Sequence, residues 1–229
     1  MLIIDWMKSK VITVSPETSL LQCRALFKEH KINRLPVVDK SQRLLGLISS
    51  SDLQSYVPQR STGLEILEAL DIMTDTTAKE VMLTNLVTIG CYSTVEQAAQ
   101  IMFDKHVACL PVLDATEKLV GIITGWDVFH ALLSISGAEQ PGDEMGFVLP
   151  NKPGTVRELL DTLKTYNMRT ISVLSTASSG DSGLRQVKIR FKAQEAGATD
   201  KLIAQVQAHP GLRYWLRDGK VFMKKNEQP

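Results

Sequence analysis

Two short peptides carry the chemistry that this sequence offers. Ser49-Ser-Ser-Asp52 and Thr124-Gly-Trp-Asp127 each set a carboxylate three residues after a hydroxyl. That spacing serves two ends. It is the reciprocal pattern that closes a helix N-terminus, and it presents an acidic acceptor of the kind that takes the paired hydroxyls of a ribose. Each peptide follows an apolar run, Gly46-Leu-Ile48 or Gly121-Ile-Ile123, so each reads as buried strand, polar turn and helix start. Free N–H groups at such a helix start favour phosphate.

The other reactive side chains form no machinery. His30, His106, His130 and His209 have no metal-ligand spacing, and no nucleophile elbow or phosphate-cradling glycine loop is present. Cys23, Cys91 and Cys109 are scattered and include no C-x-x-C pair, so they read as small buried side chains rather than as a disulfide framework or a metal site. The expected protein is a binding protein, not an enzyme. A net charge of +1 over 229 residues advertises neither nucleic acid nor a membrane surface, and no apolar run reaches the length of a spanning helix or a signal sequence. A cytoplasmic location is expected.

The elements that position the two peptides are written twice. Met7–Leu53 returns as Met82–Val128 at a constant offset of 75 residues. Within each copy an extended lead-in (Val11–Val14 in the first) precedes a capping box, Ser19 with Gln22 and Thr94 with Gln97. Helical faces follow at Leu20, Cys23, Leu26 and Phe27, and at Val95, Ala98, Ile101 and Met102. Leu35-Pro-Val-Val-Asp39 and Leu110-Pro-Val-Leu-Asp114 read as strands with proline at the entrance. Leu44–Ile48 and Leu119–Ile123, apolar on both faces, read as central strands. One such unit is marginal alone, so the copies are expected to pack about a pseudo-twofold axis with both Asp-bearing turns in one cleft. Gln54 to Glu80 joins them, with a helix through Leu64, Leu67, Ala69 and Leu70 and a loop at 75–78.

A boundary is expected at the small, polar stretch 134–144, which carries Pro141-Gly142. Beyond it the pattern gives a strand over 146–150, a turn at Asn151-Lys-Pro-Gly154, and a helix capped by Thr155 and Glu158 with Val156, Leu159, Leu160, Leu163 and Tyr166 inward. Asn167 closes that helix in the left-handed conformation. A strand over 169–175, a flexible loop over 177–183, a strand alternating at Val187, Ile189 and Phe191, and a helix over 199–208 follow. A hairpin around Asp218-Gly219 ends the pattern. The order is βαββαβ.

The doubled lead-in, the R/C-L-P-V step and the G-[LI]-I-[ST]-x-x-D peptide resemble a tandem pair of CBS domains, the Bateman module, over residues 7 to about 133. The resemblance implies a regulatory sensor holding an adenosine-containing ligand (AMP, ATP, S-adenosylmethionine or a dinucleotide) in the cleft between the copies. Asp52 and Asp127 would take ribose hydroxyls beside Ser49 and Thr124. Ile12, Thr13, Val87 and Thr88, with Leu35-Pro36 and Leu110-Pro111, would wall the base. Arg34 would meet phosphate; its counterpart Cys109 carries no charge. Trp126 reads as a semi-buried packing or dimer residue.

Residues 145–223 resemble an ACT domain, which implies sheet pairing between subunits and a possible small-acid ligand near Asn151 and Gly154. The combination is similar to the AcuB-type acetoin-utilisation proteins. The expected whole is therefore α+β: CBS domains over 1–75 and 76–136, an ACT-like domain of ferredoxin-like βαββαβ type over 145–223, a homo-oligomer, expected as a dimer, and a regulated partner. The alternatives are an oligomerisation scaffold with empty clefts and, behind it, an enzyme of acetoin or small-acid metabolism.

Overall fold

The computed structural model describes residues 1–56, 63–178 and 181–224. Its chain divides into two compact units, Met1–Ala131 and Leu132–Pro229.

In the first unit the elements run α1 (Leu20–His30), β1 (Arg34–Val38), β2 (Leu44–Ser49), α2 (Gly63–Asp75), α3 (Ala78–Val81), β3 (Ile89–Gly90), α4 (Val95–Lys105), β4 (Cys109–Leu113), β5 (Leu119–Thr124) and α5 (Gly125–Ser136), whose last turns pass into the second unit. Both expected capping boxes are present. Ser19 Oγ accepts from the Gln22 N–H at 3.3 Å and Thr94 Oγ1 from the Gln97 N–H at 3.2 Å, while each glutamine side chain reaches back to the cap N–H. Both helices end on left-handed residues at the same repeat position, Lys31 and His106.

Two cores form, and each borrows from the far side of the repeat. Leu20, Cys23, Leu35 and Ile48 pack with Ala78, which lies just before the second copy. Ala98, Leu110 and Ile123 pack with Ile3, which lies just before the first. The backbone bridges show the same exchange: Ser19 pairs Thr77 and Thr94 pairs Leu2, Leu47 pairs Leu83 and Ile122 pairs Lys8. Every pair maps onto another by the 75-residue offset, as a twofold relation requires.

The extended lead-in Val11–Val14 makes a single bridge, Val14 to Val37. Two local readings are corrected in this unit. Pro36 sits third in β1 rather than at its entrance, opposite Leu47. It is tolerated because its N–H side faces that lead-in, whose pairing starts only with the Val14 N–H donating to the Pro36 carbonyl. Finally β2 and β5 are not central. In the hydrogen-bonded order β5 ends the three-stranded sheet β3-β4-β5 and β2 has β1 as its one strand neighbour, while the other edge of each carries a single bridge, Ile122 to Lys8 and Leu47 to Leu83; Leu45 of β2 is 37% exposed.

The second unit contains β6 (Asp143–Pro150), α6 (Thr155–Thr165), β7 (Met168–Ser178), β8 (Asp181–Ala193), α7 (Ala198–Val206), β9 (Leu212–Arg217) and β10 (Lys220–Met223). The βαββαβ order holds, and the antiparallel sheet runs β10-β9-β6-β8-β7. Period-two alternation puts Met145, Phe147 and Leu149 of β6, and Val187, Ile189 and Phe191 of β8, in one core with Leu159, Leu163, Leu202 and Val206 of the helices. The opposite face buries Glu144, which pairs with Lys188 at 3.0 Å and Arg190 at 3.4 Å and accepts from the Tyr214 hydroxyl at 2.9 Å.

Here the α6 cap differs from expectation. Gly154, left-handed at φ 95°, is the N-cap, and Thr155 donates its hydroxyl to the Pro150 and Lys152 carbonyls. The tight turn brings those carbonyls within reach, so the hydroxyl satisfies them instead of the helix N–H groups. The loop expected over 177–183 is largely strand, since β7 runs to Ser178 and β8 starts at Asp181; residues 179–180 lie outside the described residues. Asn167 and the Asp218-Gly219 turn take the left-handed conformations anticipated for them.

Candidate functional site

The two hydroxyl–carboxylate peptides fold as local rings that aim their carboxylates. Asp52 Oδ2 accepts from the Ser49 N–H at 2.7 Å, and the Asp52 N–H points back to Ser49 Oγ at 3.3 Å. Asp127 Oδ2 accepts from both the Thr124 N–H, at 2.7 Å, and the Thr124 hydroxyl, at 2.6 Å. Both rings are reciprocal caps. Each ring engages Oδ2 of its aspartate. Asp127 lies in the first turn of α5, whereas Asp52–Tyr56 is a 3-10 turn, so no α-helix starts at the first peptide.

Around Asp52 the repeat exchange closes a cavity of about 440 Å³. Ser49, Asp52 and Arg34 line it from the first copy, and Val87, Cys109 and Pro111 from the second. The size is in the range that small ligands fill. Arg34 and Cys109, the two members of one repeat position, meet here. Burial pushes the Cys109 thiol pKa up, and the positive charge of Arg34 beside it offsets part of that rise. The missing second cation is thus partly made good by geometry, because Arg34 stands where the copies meet.

Other residues singled out in the sequence lie elsewhere. Leu35 and Leu110 are fully buried, one in each core, and Pro36 is buried in β1. Ile12, Thr13 and Thr88 are half-buried on the lead-ins, and Thr124 with Asp127 does not line this cavity. In the second unit the Asn151 N–H donates to the Gly183 carbonyl at 2.7 Å and Gly154 caps α6; neither lines the roughly 490 Å³ cavity on that sheet's open face. Trp126 is 83% exposed against the edge of Phe129, not semi-buried.

Sequence reasoning missed Leu83, Asn85 and Leu86 as lining residues. Their signal was the repeat itself. The opening residues of the second copy pair with the first copy's β2 through the Leu47 and Leu83 N–H and carbonyl groups, which brings Asn85 and Leu86 to the cavity at Asp52.

The family model described as CBS domain matches residues 3–59 and 78–134. A CBS domain-containing protein of Dictyostelium discoideum is 31% identical over 134 residues, which span 56% of this chain and 89% of that one. The chain belongs to the CBS-domain family. Its CBS pair is also 32% identical over 120 residues to inosine-5'-monophosphate dehydrogenase of Korarchaeum cryptofilum, but that match takes 52% of this chain and only 22% of the enzyme. Among solved structures, the CBS-pair protein CBSX2 of Arabidopsis thaliana is 28% identical with a TM-score of 0.52, covering 59% of this chain and 96% of that one. CBSX2 has also been solved in complex with AMP, at a TM-score of 0.49 over 58% of this chain and 97% of that one. The CBS matches account for the first unit. Among the described residues no helix is long and apolar enough to cross a membrane.

Proposed function

We propose that the CBS pair is a non-catalytic regulatory module that binds an adenosine-containing ligand and signals through its conformation or its oligomeric contacts. The observation that carries this reading is the cavity that unites Asp52, Ser49 and Arg34 with the second copy's Val87 and Pro111. A carboxylate acceptor for ribose hydroxyls, apolar walls for a base and a guanidinium for phosphate are the three parts that a nucleoside phosphate asks for. The likeness to CBSX2, a protein known in complex with AMP, supports it. A ligand that contacts both copies stabilises one arrangement of them over another, and that difference in affinity is the signal.

The βαββαβ order of the second unit supports an ACT-type, ferredoxin-like reading, and a CBS pair joined to such a domain is the combination similar to the AcuB-type proteins. The competing reading is an oligomerisation scaffold, favoured by apolar side chains that α5 exposes at Trp126 and Phe129. Calorimetry with AMP, ATP, S-adenosylmethionine and NAD separates the two. Saturable binding of one of them, lost in Asp52→Ala while the far-UV spectrum is unchanged, is expected. Absence of binding by all four, in protein shown free of co-purified nucleotide, would leave the scaffold.

A further inference from the structure

The twofold relation that builds the cavity at Asp52 also defines its counterpart at Asp127, and the two differ in charge. Among the described residues the ionic groups lining the cavity at Asp52 are that carboxylate and Arg34, with the His106 ring; Leu83 and Asn85 complete the wall on the lead-in side. Shifted by the repeat offset, Leu83 becomes Lys8, Asn85 becomes Lys10, His106 becomes Lys31 and Cys109 becomes Arg34. The correspondence is structural as well as sequential. Lys8 exchanges N–H and carbonyl bonds with Ile122 as Leu83 does with Leu47. Lys31 is the left-handed cap of α1 as His106 is of α4, and Asp127 is ringed by Thr124 as Asp52 is by Ser49. With Arg34 already facing the Asp52 cavity, the counterpart cleft sets three ammonium groups against one carboxylate, where among the described residues the first sets one guanidinium against one. Lys8, Lys10 and Lys31 are exposed to solvent, so their ammonium groups are available to a ligand.

The geometry points to a division of labour that rests on the adenosine reading: the Asp127 cleft takes an adenosine polyphosphate, and the Asp52 cleft takes an adenosine ligand of low charge. Several ammonium groups around one cleft stabilise a triphosphate far more than a monophosphate, because each added phosphate oxygen finds a charge-assisted donor. At Asp52 one guanidinium faces the ligand, and extra phosphates there would stay unpaired.

The test is titration calorimetry of the full chain with adenosine, AMP, ATP and inorganic tripolyphosphate, repeated on Lys8→Ala/Lys10→Ala and on Asp127→Ala. ATP should bind at one site at least about tenfold more tightly than AMP. That advantage should vanish in the double lysine variant and shrink as salt rises, because the ammonium groups are exposed. Tripolyphosphate should displace ATP from this site while leaving AMP bound at the other. Equal affinities for ATP and AMP, or an ATP preference that survives loss of both lysines, would overturn the assignment while leaving adenosine binding intact. If no adenosine compound binds, the nucleotide reading itself fails and this division fails with it; tripolyphosphate binding that depends on Lys8 and Lys10 would then mark a simple polyanion cleft.

Discussion

Single side chains in this protein are tuned by what the fold places against them. The Tyr214 phenol, pushed up to about 12 by burial and by the Glu144 carboxylate that accepts its hydrogen bond, is the clearest case. The folded state prefers the neutral phenol, so this contribution to stability is complete below an unfolded-state value near 10 and is lost as pH rises from there to about 12. Urea midpoints measured across that window should fall for the native protein and fall less for Tyr214→Phe. At neutral pH the same variant should cost about 1 kcal/mol, the net worth of one hydrogen bond, with Lys188 and Arg190 still holding Glu144. Cys23, whose thiol burial raises to about 11, should resist a thiol reagent at pH 8 until denaturant is added. At Gly146 a Cβ would enter the Tyr214 ring. Gly146→Ala should therefore destabilise the second unit by about 1–3 kcal/mol in a denaturant titration.

Elements take their ends from short-range chemistry where that chemistry is unopposed. Thr94 caps α4 by a reciprocal pair of bonds with Gln97. Thr94→Ala should cost about 1 kcal/mol in a urea titration, and Thr94→Gly only a few tenths. Thr155 has the same spacing to Glu158 but bonds the preceding turn. Thr155→Ala should stay within about 0.5 kcal/mol, as for an ordinary surface position. One spacing thus has two outcomes, decided by whether a carbonyl lies nearer to the hydroxyl than the helix N–H groups do.

The molecule as a whole joins a CBS pair to a five-stranded α+β unit. If the Asp52 cavity holds AMP, the ligand at a hundred times its Kd should stabilise the first unit by about 2.7 kcal/mol, read as a thermal shift that Asp52→Ala abolishes. Exposed Trp126 and Phe129 on α5 are apolar surface of the kind that subunit contacts cover; sedimentation should show an oligomer that Trp126→Asp/Phe129→Asp dissociates. The repeat, the α1 and α4 caps, the βαββαβ order and the Asp218-Gly219 turn were all legible in the chain, because each rests on residues a few positions apart or on a fixed offset. Ser49 with Asp52, and Thr124 with Asp127, were legible for the same reason. Tertiary structure alone decided that the residues leading into and opening each copy cross to the other, carrying Leu83 and Asn85 to the cavity at Asp52 and bringing Arg34 against Cys109. No local propensity encodes that exchange. It arises because two half-stable units bury their remaining apolar faces only against each other.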